Sequence, residues 1–331
     1  MDSSVKTVVF PIAGLGTRIL PAPKAFPKEL LPIVDRPVIQ GSVEEAVNSG
    51  INQIVLVTNP DNTMTPSYFE PNERLEALLA KRGKELDLKK VRALASMADI
   101  TTVHQAEPAG LGHAVLMAKT AVGNGAFAVA LPDDVIDANP PALRQMIQVF
   151  NEVKNPIILV ERVPHEAIGR YGIIDAAPLG NGVFEVKDLV EKPHPNRAPS
   201  NLAIIGRYIL TQEVFEALEQ TNQDAGGELQ LTDSLRLLLQ RRPLYACELS
   251  GVRHDVGTKL GYIKALIYFA LAQPDLEPDL RDYLESLRKH FRATTPSCSS
   301  PITYLWKALA LSNQWFFSSP NCLSSRNHPI S

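Results

Sequence analysis

The opening of the chain, from Thr7 to Arg18, constrains the fold more than any other stretch. Thr7 to Ala13 is an apolar run rich in β-branched residues, which is typical of a strand buried on both faces of a sheet. The run leads directly into the turn Gly14-Leu15-Gly16-Thr17-Arg18. Two glycines allow a sharp turn that brings backbone N–H groups close to an anion, and Arg18 adds a fixed positive charge. The sequence therefore predicts a phosphate-binding loop at the end of a buried strand.

Two common phosphate loops do not fit this turn. The dinucleotide fingerprint G-x-G-x-x-G needs glycine or alanine where Ile19 stands, and Pro21 and Pro23 prevent a clean helix start. The P-loop pattern G-x-x-x-x-G-K-[ST] occurs nowhere in the chain. What remains is a long, proline-stiffened loop that carries Lys24 and Lys28 over the end of the first strand. A hydride-transfer function is therefore disfavoured.

Apolar strands and amphipathic helices alternate after the loop. We predict a helix between Pro37 and Gly50 and a buried strand from Ile51 to Thr58, which is the βαβ unit of a parallel sheet. The alternation continues to a helix at Ala142 to Val153 and a strand at Ile157 to Val163. From Gly172 onward, short strands separated by turns predict an antiparallel or mixed extension. The fold class is α/β: a Rossmann-like, mixed but mostly parallel central sheet with helices on both faces.

Two further segments belong to the ends of predicted strands. A second glycine turn, Gly110-Leu111-Gly112, opens a predicted helix from His113 to Val122 and offers more backbone donors at a helix N-terminus. The apolar strand Phe127 to Leu131 ends in Pro132-Asp133-Asp134. In open parallel sheets, ligands bind beyond the carboxyl ends of the strands. We therefore expect this acidic pair to lie near a bound ligand.

Composition excludes several classes of partner. A net charge of −3 gives no general attraction to nucleic acid or to an anionic membrane. We expect no signal peptide at the N-terminus and no membrane span, because no apolar run reaches 18 residues. The three cysteines, Cys247, Cys298 and Cys322, are an odd number without metal-type spacing, so neither disulfide nor zinc architecture is expected. The protein is expected in the cytoplasm.

Several blocks of the sequence together resemble one family. Ala13 to Arg18, followed by Pro27-Lys28-Glu29-Leu30-Leu31-Pro32, resembles the signature of sugar-1-phosphate nucleotidylyltransferases, and most closely their bacterial UTP–glucose-1-phosphate uridylyltransferase branch. The resemblance covers about Val5 to Ala272. It includes seven later blocks in family order, which are Gly110-Leu111-Gly112-His113-Ala114, Leu131-Pro132-Asp133, Tyr171-Gly172, Val190-Glu191-Lys192-Pro193, Ala198-Pro199-Ser200-Asn201-Leu202-Ala203, Glu228-Leu229-Gln230-Leu231-Thr232-Asp233 and His254-Asp255-Val256-Gly257.

The resemblance implies transfer of a uridylyl group from UTP to glucose 1-phosphate, giving UDP-glucose and pyrophosphate with Mg²⁺ as cofactor. A sugar phosphate is already an anionic nucleophile, because the second pKa of a phosphomonoester is about 6. Such an enzyme needs no general base, and it must instead hold two polyanions together and neutralise charge. The expected partners are the two substrates and further copies of the chain, in a homo-oligomer (a dimer or a tetramer).

The resemblance assigns roles to individual residues. The nucleotide is expected to bind at Ala13, Gly14, Leu15, Gly16, Thr17, Gln105 and Gly110, with Arg18, Lys28 and Lys192 as catalytic cations. The sugar is expected at Gly172, Glu191 and Asn201, and the metal at Asp133 and Asp255.

Four of these residues could instead have a purely structural role, and the role of Asp134 is also open. Asp133 could cap a following helix, and Asp255 could be a turn residue before Gly257. Glu191 and Lys192 could form only a surface ion pair. Asp134 could contact a ribose or face solvent.

Two rival functions remain open at this point. One is a related enzyme with another nucleotide or sugar, such as a thymidylyltransferase, and the other is a catalytically silent nucleotide-sugar sensor. We predict a catalytic domain from residue 1 to 292 and a serine-rich tail from 293 to 331 that is poorly ordered. A chain ending near Arg292 is expected to keep its activity.

Overall fold

The computed structural model of the protein describes residues 4–294, with thirteen strands and ten α-helices in that part of the chain. The strands are β1 (Thr7–Pro11), β2 (Pro32–Ile33), β3 (Arg36–Pro37), β4 (Gln53–Thr58), β5 (Asp99–His104), β6 (Phe127–Ala130), β7 (Asp134–Asp137), β8 (Ile157–Arg162), β9 (Gly172–Gly180), β10 (Val183–Glu191), β11 (Leu202–Leu210), β12 (Tyr245–Glu248) and β13 (Val252–Asp255). The helices are α1 (Val38–Asn48), α2 (Met64–Tyr68), α3 (Glu73–Lys81), α4 (Glu85–Ala95), α5 (Leu111–Met117), α6 (Ala142–Val153), α7 (Glu213–Gln220), α8 (Leu231–Leu239), α9 (Lys259–Leu271) and α10 (Glu277–Thr294).

Nine of the strands form one sheet in the order β5-β4-β1-β6-β11-β8-β12-β10-β9. The four strands from β5 to β6 are parallel to one another, and β12 is parallel to β8. Strand β11 is antiparallel to β6 and β8, and β10 is antiparallel to β12 and β9. Seven strands therefore run in one direction and only β10 and β11 in the other. The predicted fold class, a mostly parallel sheet with an antiparallel extension, is confirmed.

Helices cover both faces of this sheet. On β1, Val9 packs into a core with α5, α7 and α8, whereas Val8 and Phe10 pack into a second core with α1 and α6. Successive side chains of a strand point to opposite faces, so a strand covered on both sides must be apolar at every position. This explains why the strand at the start of the chain is a continuous apolar run.

Four short strands and one helix end differ from the sequence-based prediction. Strands β7 and β13 pair antiparallel, with Asp134 opposite Asp255, and neither was predicted. The hairpin of β2 and β3 was not predicted either. Helix α5 ends at Met117 rather than Val122, because the amides of Ala118, Lys119 and Ala121 bond to carbonyls three residues earlier and tighten the last turn.

The chain divides into a unit that ends at Phe269 and a second unit that begins at Ala270. In the second unit, α10 places Leu280, Leu284 and Leu287 on one half-buried face. None of the helices between residues 4 and 294 is long and apolar enough to span a membrane. Residues 295–331 lie outside the described part, so the proposed tail boundary stays a prediction.

Candidate active site

The glycine loop after β1 presents free backbone donors. Among the described residues, none of the amides from Gly14 to Arg18 donates a hydrogen bond to the protein. Gly16 adopts φ +64°, and a Cβ atom added there would lie 3.2 Å from the Cβ of Lys28 and from a ring carbon of Pro23. A side chain at position 16 would therefore be both strained and crowded. The glycine allows Lys28 to pack directly against a loop whose amides are available to an anion.

Lys28 points from this loop toward the acidic turn after β6. Its Nζ donates a 2.6 Å hydrogen bond to Oδ2 of Asp133, and each side chain is 21% exposed. Burial alone would raise the pKa of Asp133, but the Lys28 ammonium and the Arg18 guanidinium outweigh burial and hold the pKa below its ordinary value. The adjacent Glu29 points the opposite way, into the interior, where it accepts hydrogen bonds from Asn62 and Thr65.

Asp133 and Asp255 converge on Gly257. A Cβ atom added at Gly257 would lie 3.1 Å from Oδ1 of Asp255 and 3.2 Å from Oδ2 of Asp133. The same atom would lie 3.8 Å from a guanidinium nitrogen of Arg18. The ladder between β7 and β13 creates this arrangement, because it sets Asp255 opposite Asp134 and thus next to the turn that carries Asp133. The glycine at position 257 thus leaves open a space between the two carboxylates that a side chain would crowd.

Asp255 forms an ion pair with Arg170. Arg170 Nη2 donates to Oδ2 of Asp255 at 2.8 Å, and the Arg170 side chain is 52% exposed. Burial, followed by the neighbouring carboxylates of Asp134 and Asp133, raises the pKa of Asp255 above its ordinary value. Negative charge is thus concentrated here, and it is offset by the partly exposed cations Lys28 and Arg170.

The two carboxylates suit a hard divalent cation. Carboxylate oxygens are the ligands that such cations prefer, and they commonly use one or two from the protein together with oxygens of a phosphate substrate. The space that glycine leaves at position 257 lies between Oδ1 of Asp255 and Oδ2 of Asp133. Across residues 4–294, no group of three or more His, Cys, Asp or Glu side chains could hold a metal ion by itself. A cation between Asp133 and Asp255 would therefore depend on the substrate for its remaining ligands.

The contacts of Asp134, Asp133 and Asp255 test the alternative roles of these residues. Asp134 does not face solvent, because its carboxylate accepts from Arg253 at 2.5 Å and from the Gly206 amide at 3.0 Å. A contact between Asp134 and a ribose stays a prediction. Asp133 does not cap a helix, because β7 follows it. Asp255 is a turn residue, as its Oδ1 accepts from the Gly257 amide at 3.1 Å. That turn is also what directs the carboxylate toward Asp133.

A buried arginine that the sequence analysis missed holds the acidic turn in place. Arg207 on β11 is 1% exposed and binds Glu45 of α1 through both carboxylate oxygens. Its guanidinium also donates to the carbonyl oxygens of Leu131 at 2.8 Å and Asp134 at 3.0 Å. These carbonyls flank Asp133. The signal was present in the sequence, because an arginine in the apolar strand LAIIGRYIL must find a buried partner.

The residues predicted for the sugar phosphate form a second cluster. Glu191 Oε2 accepts from the Thr232 hydroxyl at 2.7 Å, and Glu191 Oε1 lies 3.1 Å from Nζ of Lys192. Glu191 and Lys192 therefore do form an ion pair, as the structural alternative expects. Lys192 is nevertheless 54% exposed and has an unusual φ of +44°. At Gly172, an added Cβ would lie 3.1 Å from Oε2 of Glu191. The structure brings Gly172, Glu191 and Lys192 together.

Asn201 has different neighbours. Its side-chain amide donates to the Val163 carbonyl at 3.5 Å, and its Oδ1 accepts from Arg162 at 3.4 Å. These bonds attach the start of β11 to the end of β8. They give Asn201 a structural role, and its sugar-binding role stays a prediction.

The residues predicted for the base lie around the second glycine turn. Gln105 is 3% exposed, and its Nε2 lies 2.8 Å from Nδ1 of His113 and 3.4 Å from the Gly110 carbonyl oxygen. Gly110 has φ +96°, and a Cβ atom there would lie 2.8 Å from the carbonyl oxygen of Leu229. Ala13 is buried at the base of the first loop. Glycine is therefore required at position 110 for both conformation and space.

The fold and the site together define a nucleotidyl transferase. The family model described as "Nucleotidyl transferase" matches residues 9–270, and the chain belongs to this family. Within the family, the chain is 43% identical over 283 residues to the UTP–glucose-1-phosphate uridylyltransferase of Staphylococcus epidermidis, covering 86% of this chain and 98% of the relative. It is 44% identical to the Bacillus subtilis protein of the same name, covering 86% of this chain and 97% of the relative.

Solved structures give the same result. A UTP-bound UGPase from Acinetobacter baumannii superimposes with a TM-score of 0.80 at 38% identity, covering 86% of this chain and 99% of the other. A UDP-glucose pyrophosphorylase complexed with UDP-glucose superimposes with a TM-score of 0.75 at 39% identity, covering 81% and 100%. The family resemblance found in the sequence is confirmed.

Proposed function

We infer that the protein is an enzyme that transfers a uridylyl group from UTP to α-D-glucose 1-phosphate, giving UDP-glucose and pyrophosphate. One observation carries this conclusion: in a chain that matches 97–98% of the length of uridylyltransferases, the phosphate loop, Lys28 and two carboxylates meet around Gly257. The loop supplies donors for a triphosphate, and the carboxylates supply ligands for a cation that accompanies it.

The nucleotide side of the site is built to hold a polyanion. The free amides from Gly14 to Arg18 would donate to the phosphate oxygens, and Arg18 and Lys28 would neutralise the pyrophosphate as it leaves. Gly110 and Gln105 would hold the base at the second glycine turn. Binding in this way orients the α-phosphorus of UTP for in-line attack.

We propose Mg²⁺ as the cation that Asp133 and Asp255 hold. When bound, it would offset negative charge on the phosphate oxygens and help to orient the reacting groups. Lys28 would then exchange its hydrogen bond to Asp133 for contacts with the polyanion. Arg170, which binds Asp255 in this structure, would be free for the same exchange.

The sugar side holds the nucleophile. Lys192 would bind the phosphate of glucose 1-phosphate, and Glu191 would accept hydrogen bonds from the sugar hydroxyls. Gly172 lets the sugar approach the backbone closely, because it carries no Cβ next to Glu191. The phosphate oxygen attacks without a general base, since it is already ionised at neutral pH. The role of the chain is to hold two negatively charged substrates together and to compensate their charge.

Cellular location and assembly are part of this proposal. We place the enzyme in the cytoplasm as a homo-oligomer, a dimer or a tetramer, on the strength of the family resemblance.

A pyrophosphate-release assay tests the function. The purified protein is incubated with Mg²⁺ and a panel of UTP, dTTP, CTP and ATP against glucose 1-phosphate and galactose 1-phosphate. We expect the highest kcat/KM with UTP and glucose 1-phosphate. A preference for dTTP would replace the proposal by a thymidylyltransferase, and UDP-glucose binding without any pyrophosphate release would replace it by a silent binding protein.

A further inference from the structure

We propose that His113 is a positioning residue that fixes the side-chain amide of Gln105 in one orientation, so that the base site selects uracil over cytosine. This inference rests on the proposed function, in which Gln105 contacts the nucleotide base. It explains why a histidine stands at the start of α5 in a reaction that needs no proton transfer from it.

The Gly110 carbonyl distinguishes the two possible orientations of the Gln105 amide. The carbonyl oxygen of Gly110 lies 3.4 Å from the terminal atom assigned as Nε2 of Gln105. If the amide were rotated by half a turn, its own oxygen would face this carbonyl oxygen, and two acceptors would repel each other. The Gly110 carbonyl therefore favours the NH₂ end of Gln105 on this side, but at 3.4 Å it is too far away to fix the orientation alone.

His113 must then accept the second hydrogen of the same NH₂ group. Its Nδ1 lies 2.8 Å from Nε2 of Gln105, a distance typical of a good hydrogen bond. An amide NH₂ can only donate, so Nδ1 carries no proton and the ring is neutral with its hydrogen on Nε2. The two hydrogens of the Gln105 amide are thus both used inside the protein.

The backbone around His113 is held firmly enough to keep this contact. The amide of the preceding residue, Gly112, donates to the Leu229 carbonyl oxygen at 2.8 Å. A Cβ atom added at Gly112 would lie 2.7 Å from the same oxygen, so the turn is pressed against the Leu229 backbone. The imidazole of His113 therefore has little freedom to move away from Gln105.

Only the carbonyl oxygen of Gln105 is left for a ligand. Oε1 accepts no hydrogen bond from residues 4–294, and the Gly110 amide donates none to them. An acceptor of this kind pairs with N3–H of a uracil or thymine ring. Cytosine has a lone pair at N3, which would face the lone pairs of Oε1 while the phosphate loop holds the nucleotide in place. A glutamine free to rotate would not make this distinction, because its NH₂ end could serve cytosine.

The test compares the ratio of kcat/KM for UTP to that for CTP in wild type, His113→Leu and His113→Asn. Leucine removes the acceptor, so we expect the ratio to fall by at least about tenfold. Asparagine is the matched control, because its Oδ1 takes the place of Nδ1 as an acceptor, and we expect it to keep most of the preference. If His113 only supports the fold, its loss would lower kcat/KM for UTP and for CTP alike and leave their ratio unchanged. That result would overturn the proposal.

A spectroscopic measurement covers the case in which His113→Leu does not fold. In nitrogen-15 spectra of the wild-type imidazoles, the signal that disappears in His113→Asn belongs to His113. We expect its Nδ1 to be unprotonated at neutral pH, and a protonated Nδ1 would overturn the proposal. Failure of the proposed function is distinguishable, because a wild-type protein that releases no pyrophosphate from UTP fails before any variant is compared.

Discussion

Lys28 donates its 2.6 Å hydrogen bond to Asp133, the carboxylate that we assign to the metal. The cation expected to bind the triphosphate and the anion expected to bind the metal therefore neutralise each other in this structure. A triphosphate and its divalent cation would separate the pair by offering each member a partner of opposite charge. Binding of the nucleotide and binding of the metal should for this reason depend on one another.

The first prediction concerns the metal ligands. Asp133→Asn and Asp255→Asn should each keep the fold but lose most Mg²⁺-supported turnover, by about 100-fold or more, because a neutral amide is a poor ligand for a hard cation. Titration of the initial rate with Mg²⁺ measures the effect, and direct Mn²⁺ binding in the presence of UTP gives a second readout. Asp137→Asn is the matched control, since Asp137 lies on β7 and its carboxylate bonds to Tyr268 instead. Near-normal rates in both Asp133→Asn and Asp255→Asn would contradict the assignment of these residues as metal ligands.

The second prediction separates the two substrates. Lys192→Ala should chiefly raise KM for glucose 1-phosphate, whereas Arg18→Ala should impair use of UTP, because each removes charge from a different polyanion. Steady-state kinetics with each substrate varied in turn measures the split. Lys187→Ala is the control: Lys187 also lies in an exposed ion pair, 2.8 Å from Glu185 on the same strand, and should be silent. If Lys192→Ala and Arg18→Ala showed the same defect, confined to UTP, the placement of Lys192 would be wrong.

The third prediction concerns the buried pair of Arg207 and Glu45. Arg207→Met should destabilise the protein by about 3–5 kcal/mol, because it leaves the Glu45 carboxylate buried without a partner. Urea unfolding measures the loss. The double variant with Glu45→Leu should recover part of this free energy, since it also removes the unpaired charge. If Arg207→Met were as stable as the wild type, Arg207 would not be needed to compensate the buried charge of Glu45.

The sequence predicted the strands and helices that have a clear hydrophobic period. Strand β6 and helix α6 lie almost exactly where the apolar pattern placed them, because a buried strand or an amphipathic helix must show its environment in its sequence. It also predicted that Asp133 follows a strand end, where ligands bind in open sheets. Local pattern was sufficient for these features.

Other features depend on contacts between distant parts of the chain. Strands β7 and β13 have only four residues each, which is too short for a hydrophobic period to reveal them, yet their pairing is what brings Asp255 to Asp133. The partner of Arg207 could not be read either, since Glu45 is 162 positions away. Periodicity reports the environment of a segment but not the identity of its partner.

The fourth prediction uses the buried thiol of Cys247. Burial, assisted by the charge of Glu248, raises the pKa of Cys247 to about 11 from its ordinary value of 9.0. The folded protein therefore keeps the proton to higher pH than the unfolded chain. Stability from this group is complete below pH 9 and is lost between about pH 9 and pH 11, by roughly 2–3 kcal/mol.

Comparison of wild type with Cys247→Val isolates this effect from other groups that titrate in the same range. The free energy of unfolding, measured in urea from pH 8 to pH 11, should fall more steeply in the wild type. In addition, Cys247 should resist alkylation at pH 8 until the protein is unfolded, because the reactive thiolate is scarce and inaccessible. Parallel curves for the two proteins would contradict the raised pKa.

The last prediction is that residues beyond Arg292 are dispensable for catalysis. Every contact described for the site lies between Ala13 and Gly257, and the family match ends at residue 270. The segment contains no Asp or Glu, and its large apolar groups, at 305–306 and 315–317, are spread too thinly among Ser, Asn and Pro to offset the entropy cost of ordering the segment alone. A chain ending at Arg292 should therefore keep its kcat/KM and its thermal midpoint. The opposing idea is that Trp315, Phe316 and Phe317 pack on a neighbouring subunit, since aromatic groups of this kind often belong to interfaces. Sedimentation and the pyrophosphate assay decide between the two ideas: an oligomer and an activity that are lost together on truncation would show that the tail belongs to the working enzyme.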